Sequence, residues 1–224
     1  MGEHPQLRLA ILISGAGSNL LAIACACESG QIDARIVLVV ADRDAPGIAA
    51  AAQRGLATRV LQASGPADRA AFERALEQAL QSSGAELIVL AGFMRILSAD
   101  FVQRHTGRLL NIHPSLLPRH KGLHTHRRVL QAGEREHGAS VHYVTAELDG
   151  GPVICQARLA VRPEDTEASL RARVQQLEHR IYPYVIGLIA AGRLRLDGAS
   201  IRLDGQVLEQ PLTMESYNDA HPQP

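Results

Sequence analysis

Neither charge is in excess: Lys+Arg and Asp+Glu number 23 each, so the formal net charge is zero. Proteins that grip a nucleic acid backbone or an anionic membrane usually carry a basic surplus, so both partner classes are excluded here. Lysine is almost absent, Lys121 being the only one. With so much alanine, that arginine preference reads as genomic composition bias before it reads as function. Cysteine is scarce and odd in number. Cys25, Cys27 and Cys155 have no metal-type spacing, which suits a reducing compartment and free, buried thiols. No apolar run approaches the ~20 residues of a membrane span. The opening "MGEHPQL" is too polar for a secretory signal. No repeat and no long linker is evident. The expectation is a soluble cytoplasmic protein whose 224 residues, 46% of them hydrophobic, bury one substantial core.

What is present alternates. Apolar runs at 7–13, 35–41, 58–61, 86–91 and 108–112 read as buried strands. Segments at 19–28, after "DRDAPG" to about Arg54, and from Ala67 to Gln81 have helical spacing. Continuous apolar strands between helices predict an open, mostly parallel α/β sheet covered on both faces. Further on come a helix near 123–132, strands at 138–145 and 152–160, and a long helix over 166–190. Leu170, Val174, Leu177, Ile181 and Val185 line one face of that helix, and Pro183 should kink it or start a new segment. Residues 194–208 read as a meander with Asp-Gly turns, and the tail from Pro211 to Pro224 as polar and mobile.

The first strand enters "SGAGSN", residues 14–19. A dinucleotide fingerprint would place glycine at position 20, where Leu20 stands, so a nicotinamide site is disfavoured. Gly15 and Gly17 allow a tight turn, and Ser18 and Asn19 open the next helix, whose N–H groups and dipole suit a phosphate monoester. The loop alone is equally an ordinary strand–helix turn with a serine cap. Six histidines, His113, His120, His124, His126, His137 and His142, crowd thirty residues. They lack a coherent ligand spacing, so no metal is expected and most read as surface or supporting groups. Asp149 lies in "LDGGP"; the same Leu-Asp-Gly recurs at 196–198 and 203–205, where it makes turns. Taken alone, Asp149 reads as a turn residue.

"LLNIHPSLLP", residues 109–118, is harder to explain as structure. Asn111 and His113, two apart at the carboxyl end of a buried strand, project on one side. Open α/β sheets place ligands at such ends. The amide offers a neutral donor to a carbonyl oxygen, and the imidazole offers a proton. An aspartate would orient the ring and favour its charged form. These groups suit attack on an acyl carbon through a tetrahedral oxyanion. No G-x-S-x-G is present and Ser115 lies beyond Pro114, so no covalent nucleophile is expected.

Together with "ILISGAGSNL" (11–20), "VLAGFMRILS" (89–98), "GLHTH" (122–126), "HGASVH" (137–142), "ELDGGPVI" (147–154) and "LEHRIYP" (177–183), the stretch "GRLLNIHPSLLP" (107–118) closely resembles the phosphoribosylglycinamide formyltransferases, folate-dependent enzymes of purine synthesis. The resemblance covers about residues 7–210. It implies a Rossmann-like formyltransferase fold with antiparallel additions toward the C-terminus, in one domain over 1–224. About 7–107 would serve the phosphate and nucleotide substrate, and about 108–210 catalysis and folate. It implies Asn111, His113 and Asp149 as the catalytic trio. Gly17, Ser18 and Asn19 would hold the phosphate of 5-phosphoribosylglycinamide, with Gln175 and Glu178 on its ribose side. Met94, Arg95, Ile96 and Leu97 would line the folate pocket largely through backbone groups, with Arg69 near the glutamate tail and Asn111 also facing the folate. Glu178 lies roughly 80° from Leu170 on a helical wheel, beside the apolar stripe. The implied co-substrate is 10-formyltetrahydrofolate, with no metal, and a monomer or homodimer is expected. Formyltetrahydrofolate deformylase would share the trio but resembles a longer chain with an N-terminal regulatory domain, for which the first strand at Leu7 leaves no room. Methionyl-tRNA formyltransferase would need a basic RNA-binding domain. A catalytically dead nucleotide-binding module would have no reason to keep the His–Asp pair.

Overall fold

Leu9, Ala10, Ile11, Leu12 and Ile13 are fully buried along strand β1 (Leu7–Ile13). Each large apolar side chain taken out of water here contributes about 1.5–3 kcal/mol. This computed structural model describes residues 6–62 and 69–213. The chain divides into two units, Met1–Leu110 and Asn111–Pro224.

In the first unit β1 is followed by α1 (Ser18–Glu28), β2 (Ala34–Ala41), α2 (Pro46–Gln53), β3 (Thr58–Val60), α3 (Arg69–Ser83), β4 (Leu87–Leu90) and α4 (Ala99–Arg104). The strand order is β3-β2-β1-β4, and the neighbouring pairs are parallel. This is the expected Rossmann-like arrangement. Both strands flanking the reversal of order, β1 and β4, end in loops that carry candidate residues. The expected helix start at Ala67 lies outside the described residues. Helix α4 was not anticipated; it is six residues long, too short for a periodic signal. Ser98 caps it by accepting the Phe101 N–H at 3.2 Å, with Asp100 in its first turn and Arg104 in its last.

The unit boundary falls within β5 (Leu109–His113). After it come α5 (Thr125–Gln131), β6 (Glu136–Tyr143), β7 (Val153–Ala160) and α6 (Glu167–Ala190). Strands β6 and β7 pair antiparallel, the addition expected toward the C-terminus. The meander forms as β8 (Leu194–Asp197), β9 (Ser200–Leu203) and β10 (Gln206–Val207). Leu212–Thr213, expected within the tail, instead form β11, parallel to β7 at Cys155–Gln156. Residues 214–224 lie outside the described residues.

Helix α6 is capped by a reciprocal box, Thr166 with Ser169. It runs through Pro183 without starting a new segment. Leu170, Val174, Ile181 and Val185 are fully buried as expected. Leu177 is only half-buried, and Glu178 takes the buried place beside it. The thiols also divide: Cys155 is buried, Cys27 half-buried, and Cys25 exposed, contrary to expectation. No helix among the described residues is long and apolar enough to cross a membrane.

Candidate active site

In the first unit, β1 turns at Gly17, whose φ of 76° is left-handed, a conformation glycine adopts without steric cost. Gly17 is the N-cap of α1 and no side chain caps the helix there. The serine-capped turn that the sequence equally allowed is therefore not what forms. Ser18 and Asn19 occupy the first turn, where backbone amides and the dipole favour an anion. The α2 N-terminus packs directly on this loop. The Gly47 N–H donates to the Gly15 carbonyl at 3.1 Å. A Cβ on Gly47 would fall 2.6 Å from Ile13 Cδ1 and 2.9 Å from the Gly15 carbonyl oxygen.

The segment after β4 carries Met94, Arg95, Ile96 and Leu97. Met94 is 60% and Ile96 64% exposed, whereas Leu97 is buried. The Arg95 guanidinium lies 4.8 Å over the Phe72 ring, and Phe72 stacks on Phe93. Arg69 is exposed at the start of α3.

In the second unit, Asn111 and His113 occupy alternate positions of β5 and share one side. The Asn111 amide is half-buried and His113 buried. His113 Nε2 lies 3.0 Å from the His120 carbonyl oxygen, and Nδ1 lies 3.4 Å from Asp149 Oδ2. Both ring nitrogens thus face protein oxygens, which hold the ring in one orientation. The His120 side chain anchors that carbonyl through Glu134, 2.6 Å away. This His120 contact, with those of Arg119 and His137, holds the Glu134 carboxyl below the usual range against a smaller upward push from burial.

Asp149 has φ 49°, a left-handed turn that Asp tolerates. It is nevertheless not merely a turn residue. Its side chain is 8% exposed, against 51% for Asp197 and Asp204 in the other two Leu-Asp-Gly turns. Those two pair with surface arginines, Arg202 and Arg193. Asp149 Oδ2 instead accepts the Gly122 N–H at 2.8 Å and faces His113. Gly151 is required sterically, since a Cβ there would meet the Tyr143 carbonyl, whereas one on Gly150 would meet only the exposed Glu147 side chain.

His142 is the residue that sequence reasoning missed. Its Nδ1 lies 2.9 Å from the Tyr143 carbonyl oxygen, so Nδ1 carries the proton. Burial lowers its pKa, outweighing the opposing effects of the Tyr143 carbonyl and Asp149. Nε2 is then a bare acceptor, and it takes a hydrogen from Asn111 Nδ2 at 3.1 Å. The 3.8 Å approach of Nε2 to Asp149 is accordingly not an ion pair. The consequence is a fixed Asn111 amide, its nitrogen turned toward His142 and a second N–H left to offer. His142 closes the stretch "HGASVH", but only the pairing of strands brings it to Asn111.

The crowded histidines divide between the expected surface and supporting places. His126, on α5, is 8% exposed, and His137 and His142, on β6, are 1% and 2% exposed, β6 being buried along nearly its whole length. His126 Nδ1 and His137 Nε2 lie 2.9 Å apart; His124, the α5 N-cap, is exposed. No group of three or more His, Cys, Asp or Glu able to hold a metal occurs among the described residues. Ser115 is fully buried and its hydroxyl donates to the Arg119 carbonyl at 2.7 Å, an unsuitable setting for a nucleophile. On α6, Gln175 is half-buried and Glu178 buried.

Residues 7–186 match the formyl transferase family. The chain is 50% identical over 203 residues to the phosphoribosylglycinamide formyltransferase of Escherichia coli, covering 90% of this chain and 96% of that one. The chain belongs to the formyl transferase family, among the phosphoribosylglycinamide formyltransferases. A solved structure of the Coxiella burnetii phosphoribosylglycinamide formyltransferase superposes with a TM-score of 0.88 at 46% identity, covering 93% of this transferase and 99% of that chain. A formyltetrahydrofolate deformylase from Pseudomonas putida also superposes, with a TM-score of 0.82. It is only 27% identical, and the match covers 91% of this chain but 71% of that one. The human trifunctional purine biosynthetic protein adenosine-3 is 39% identical over 195 residues, 87% of this chain and 19% of the human protein.

Proposed function

We propose that this chain transfers the formyl group of 10-formyltetrahydrofolate to the amine of 5-phosphoribosylglycinamide, yielding formylglycinamide ribonucleotide and tetrahydrofolate in de novo purine biosynthesis. The observation that carries this reading is the cluster of half-buried Asn111 with buried His113 and Asp149, its amide oriented by His142, in a chain 50% identical to an enzyme of that name. The substrate amine attacks the formyl carbon and the carbonyl oxygen becomes an oxyanion. The free N–H of Asn111 and the protonated His113 ring beside it stabilise that charge. Asp149 keeps the imidazole charged and oriented. Collapse breaks the bond from carbon to the folate nitrogen, which leaves with a proton while the attacking nitrogen gives one up. No acyl-enzyme and no metal takes part.

Gly17, Ser18 and Asn19 hold the ribonucleotide phosphate, and Gln175 and Glu178 its ribose side. Met94 to Leu97 and Asn111 contact the folate, with Arg69 toward its glutamate tail. The N-terminal half, about 7–107, thereby serves the phosphate and about 108–210 the chemistry, in a single catalytic domain. The partners are these two small molecules, with no nucleic acid or membrane, and the setting is the cytoplasm. Incubating the protein with both substrates should convert formyl-folate stoichiometrically into formylated ribonucleotide. Formyl-folate left intact in the presence of the amine would refute the proposal.

A further inference from the structure

Two loops leave the carboxyl ends of β1 and β4, which are parallel neighbours. They flank the reversal in strand order, where open α/β sheets hold their ligands. Ser14 joins them. Its backbone N–H donates to the Gly92 carbonyl at 3.2 Å, and its Oγ accepts the Met94 N–H at 2.8 Å. The serine's own proton goes to the Asp42 carboxylate at the end of β2. The directions in this chain are fixed by chemistry. The Arg43 guanidinium can only donate, and it forks onto Asp42 at 3.1 and 2.8 Å. An ionised Asp42 can only accept, so the hydroxyl proton points to Asp42 and a lone pair to Met94. Burial pushes the Asp42 carboxyl up, but the bonds from Arg43 and Ser14 outweigh it and keep the group ionised. Its side chain is only 1% exposed, so water does not substitute for these partners.

The far end of the same loop is tied equally firmly. The Glu73 carboxylate accepts both the Ser98 N–H and the Ser98 hydroxyl at 2.6 Å. Between the anchors, Met94 and Ile96 project into solvent, an apolar pair on a backbone that is held rather than loose. Ser14 and Asp42 have no part in the formyl transfer chemistry described above.

We infer that Ser14, braced by Asp42, is a positioning residue for the folate side of the reaction, setting the backbone of residues 92–94 so that Met94–Leu97 meet the co-substrate preformed. This rests on the assignment of Met94–Leu97 to the folate. Preorganisation of this kind lowers the ordering cost of binding, so its loss should appear in folate affinity and spare the oxyanion chemistry.

The test compares Ser14→Ala, Ser14→Thr and Asp42→Asn with the unaltered protein. Tetrahydrofolate binding is measured by calorimetry, and KM for each substrate in steady state. Ser14→Ala should weaken tetrahydrofolate binding and raise the formyl-folate KM roughly three- to tenfold, the usual worth of one hydrogen bond. The ribonucleotide KM and kcat should change less than about twofold. Ser14→Thr, which keeps the hydroxyl, should recover most of the loss, and Asp42→Asn should shift in the same direction as Ser14→Ala. If Ser14→Ala does not fold, Asp42→Asn carries the same comparison. Equal rises in both KM values, or unchanged folate binding, would overturn the positioning role and leave the proposed function standing. No tetrahydrofolate binding by the unaltered protein would overturn the folate assignment itself.

Discussion

Asp149→Asn separates a turn residue from a catalytic one with the smallest change of shape. Asn adopts the left-handed φ of 49° seen here as readily as Asp. Its carbonyl oxygen can still accept the Gly122 N–H that now lies 2.8 Å from Oδ2. What disappears is the negative charge 3.4 Å from His113 Nδ1. At an effective dielectric of about 20, that separation corresponds to an attraction of about 5 kcal/mol for the charged ring, an upper figure. If most of it acts in the transition state, kcat should fall about 10²–10³-fold, or about 3–4 kcal/mol. The measurements are kcat and KM for both substrates in the two proteins, and a denaturation curve to show that the fold survives. Near-normal turnover in a folded protein would return Asp149 to the company of Asp197 and Asp204.

His142→Phe keeps a ring but removes the acceptor that orients Asn111. It should lower kcat by about 10–10²-fold, less than deleting a donor outright, with the ribonucleotide KM nearly constant; an unchanged kcat would mean that Asn111 needs no such guide. Gly47→Ala places a Cβ 2.9 Å from the Gly15 carbonyl oxygen. The displaced loop should raise the ribonucleotide KM about tenfold and destabilise the fold by about 1–3 kcal/mol, whereas a rise in the folate KM alone would move the phosphate elsewhere. Burial, with Arg171 next, holds His126 at about 4; burial, with His126 next, holds His137 at about 4. Both are neutral when folded, and each unfolds to a group that protonates near 6.5. Stability should therefore be full above about pH 6.5 and decline as pH falls toward 4, with about 2–3 kcal/mol lost between pH 7.5 and 5.5. Urea unfolding at those two values checks it, and equal stabilities would refute the buried neutral pair.

The parts of the site that the sequence makes legible are those encoded locally. Asn111 and His113 reveal themselves because two polar residues at strand period interrupt an otherwise buried run. Gly17 does so because glycine is the residue that takes a left-handed helix entry without strain. Asp149 is different. Three Leu-Asp-Gly turns look alike in sequence, and what distinguishes one is burial against His113, set by the pairing of distant strands. His142 is hidden for the same reason, being one of several polar residues in β6 whose partner Asn111 lies 31 positions away. Gly47 and Ser14 act through tertiary contacts with neighbouring loops and follow no motif. Glu178 was placed beside the apolar stripe of α6, yet it is buried in preference to Leu177. A helical wheel gives the direction of a side chain without what packs against it.

The central claim is transfer to an amine rather than release to water, and one labelling experiment addresses it most directly. The protein is given 10-formyltetrahydrofolate carrying ¹³C in its formyl group, with and without 5-phosphoribosylglycinamide, and the label is followed by NMR. The account predicts that the label enters the formamide of the ribonucleotide, and that formyl-folate persists when the ribonucleotide is withheld. Labelled formate appearing at the same rate in both samples would contradict it and make the protein a hydrolase.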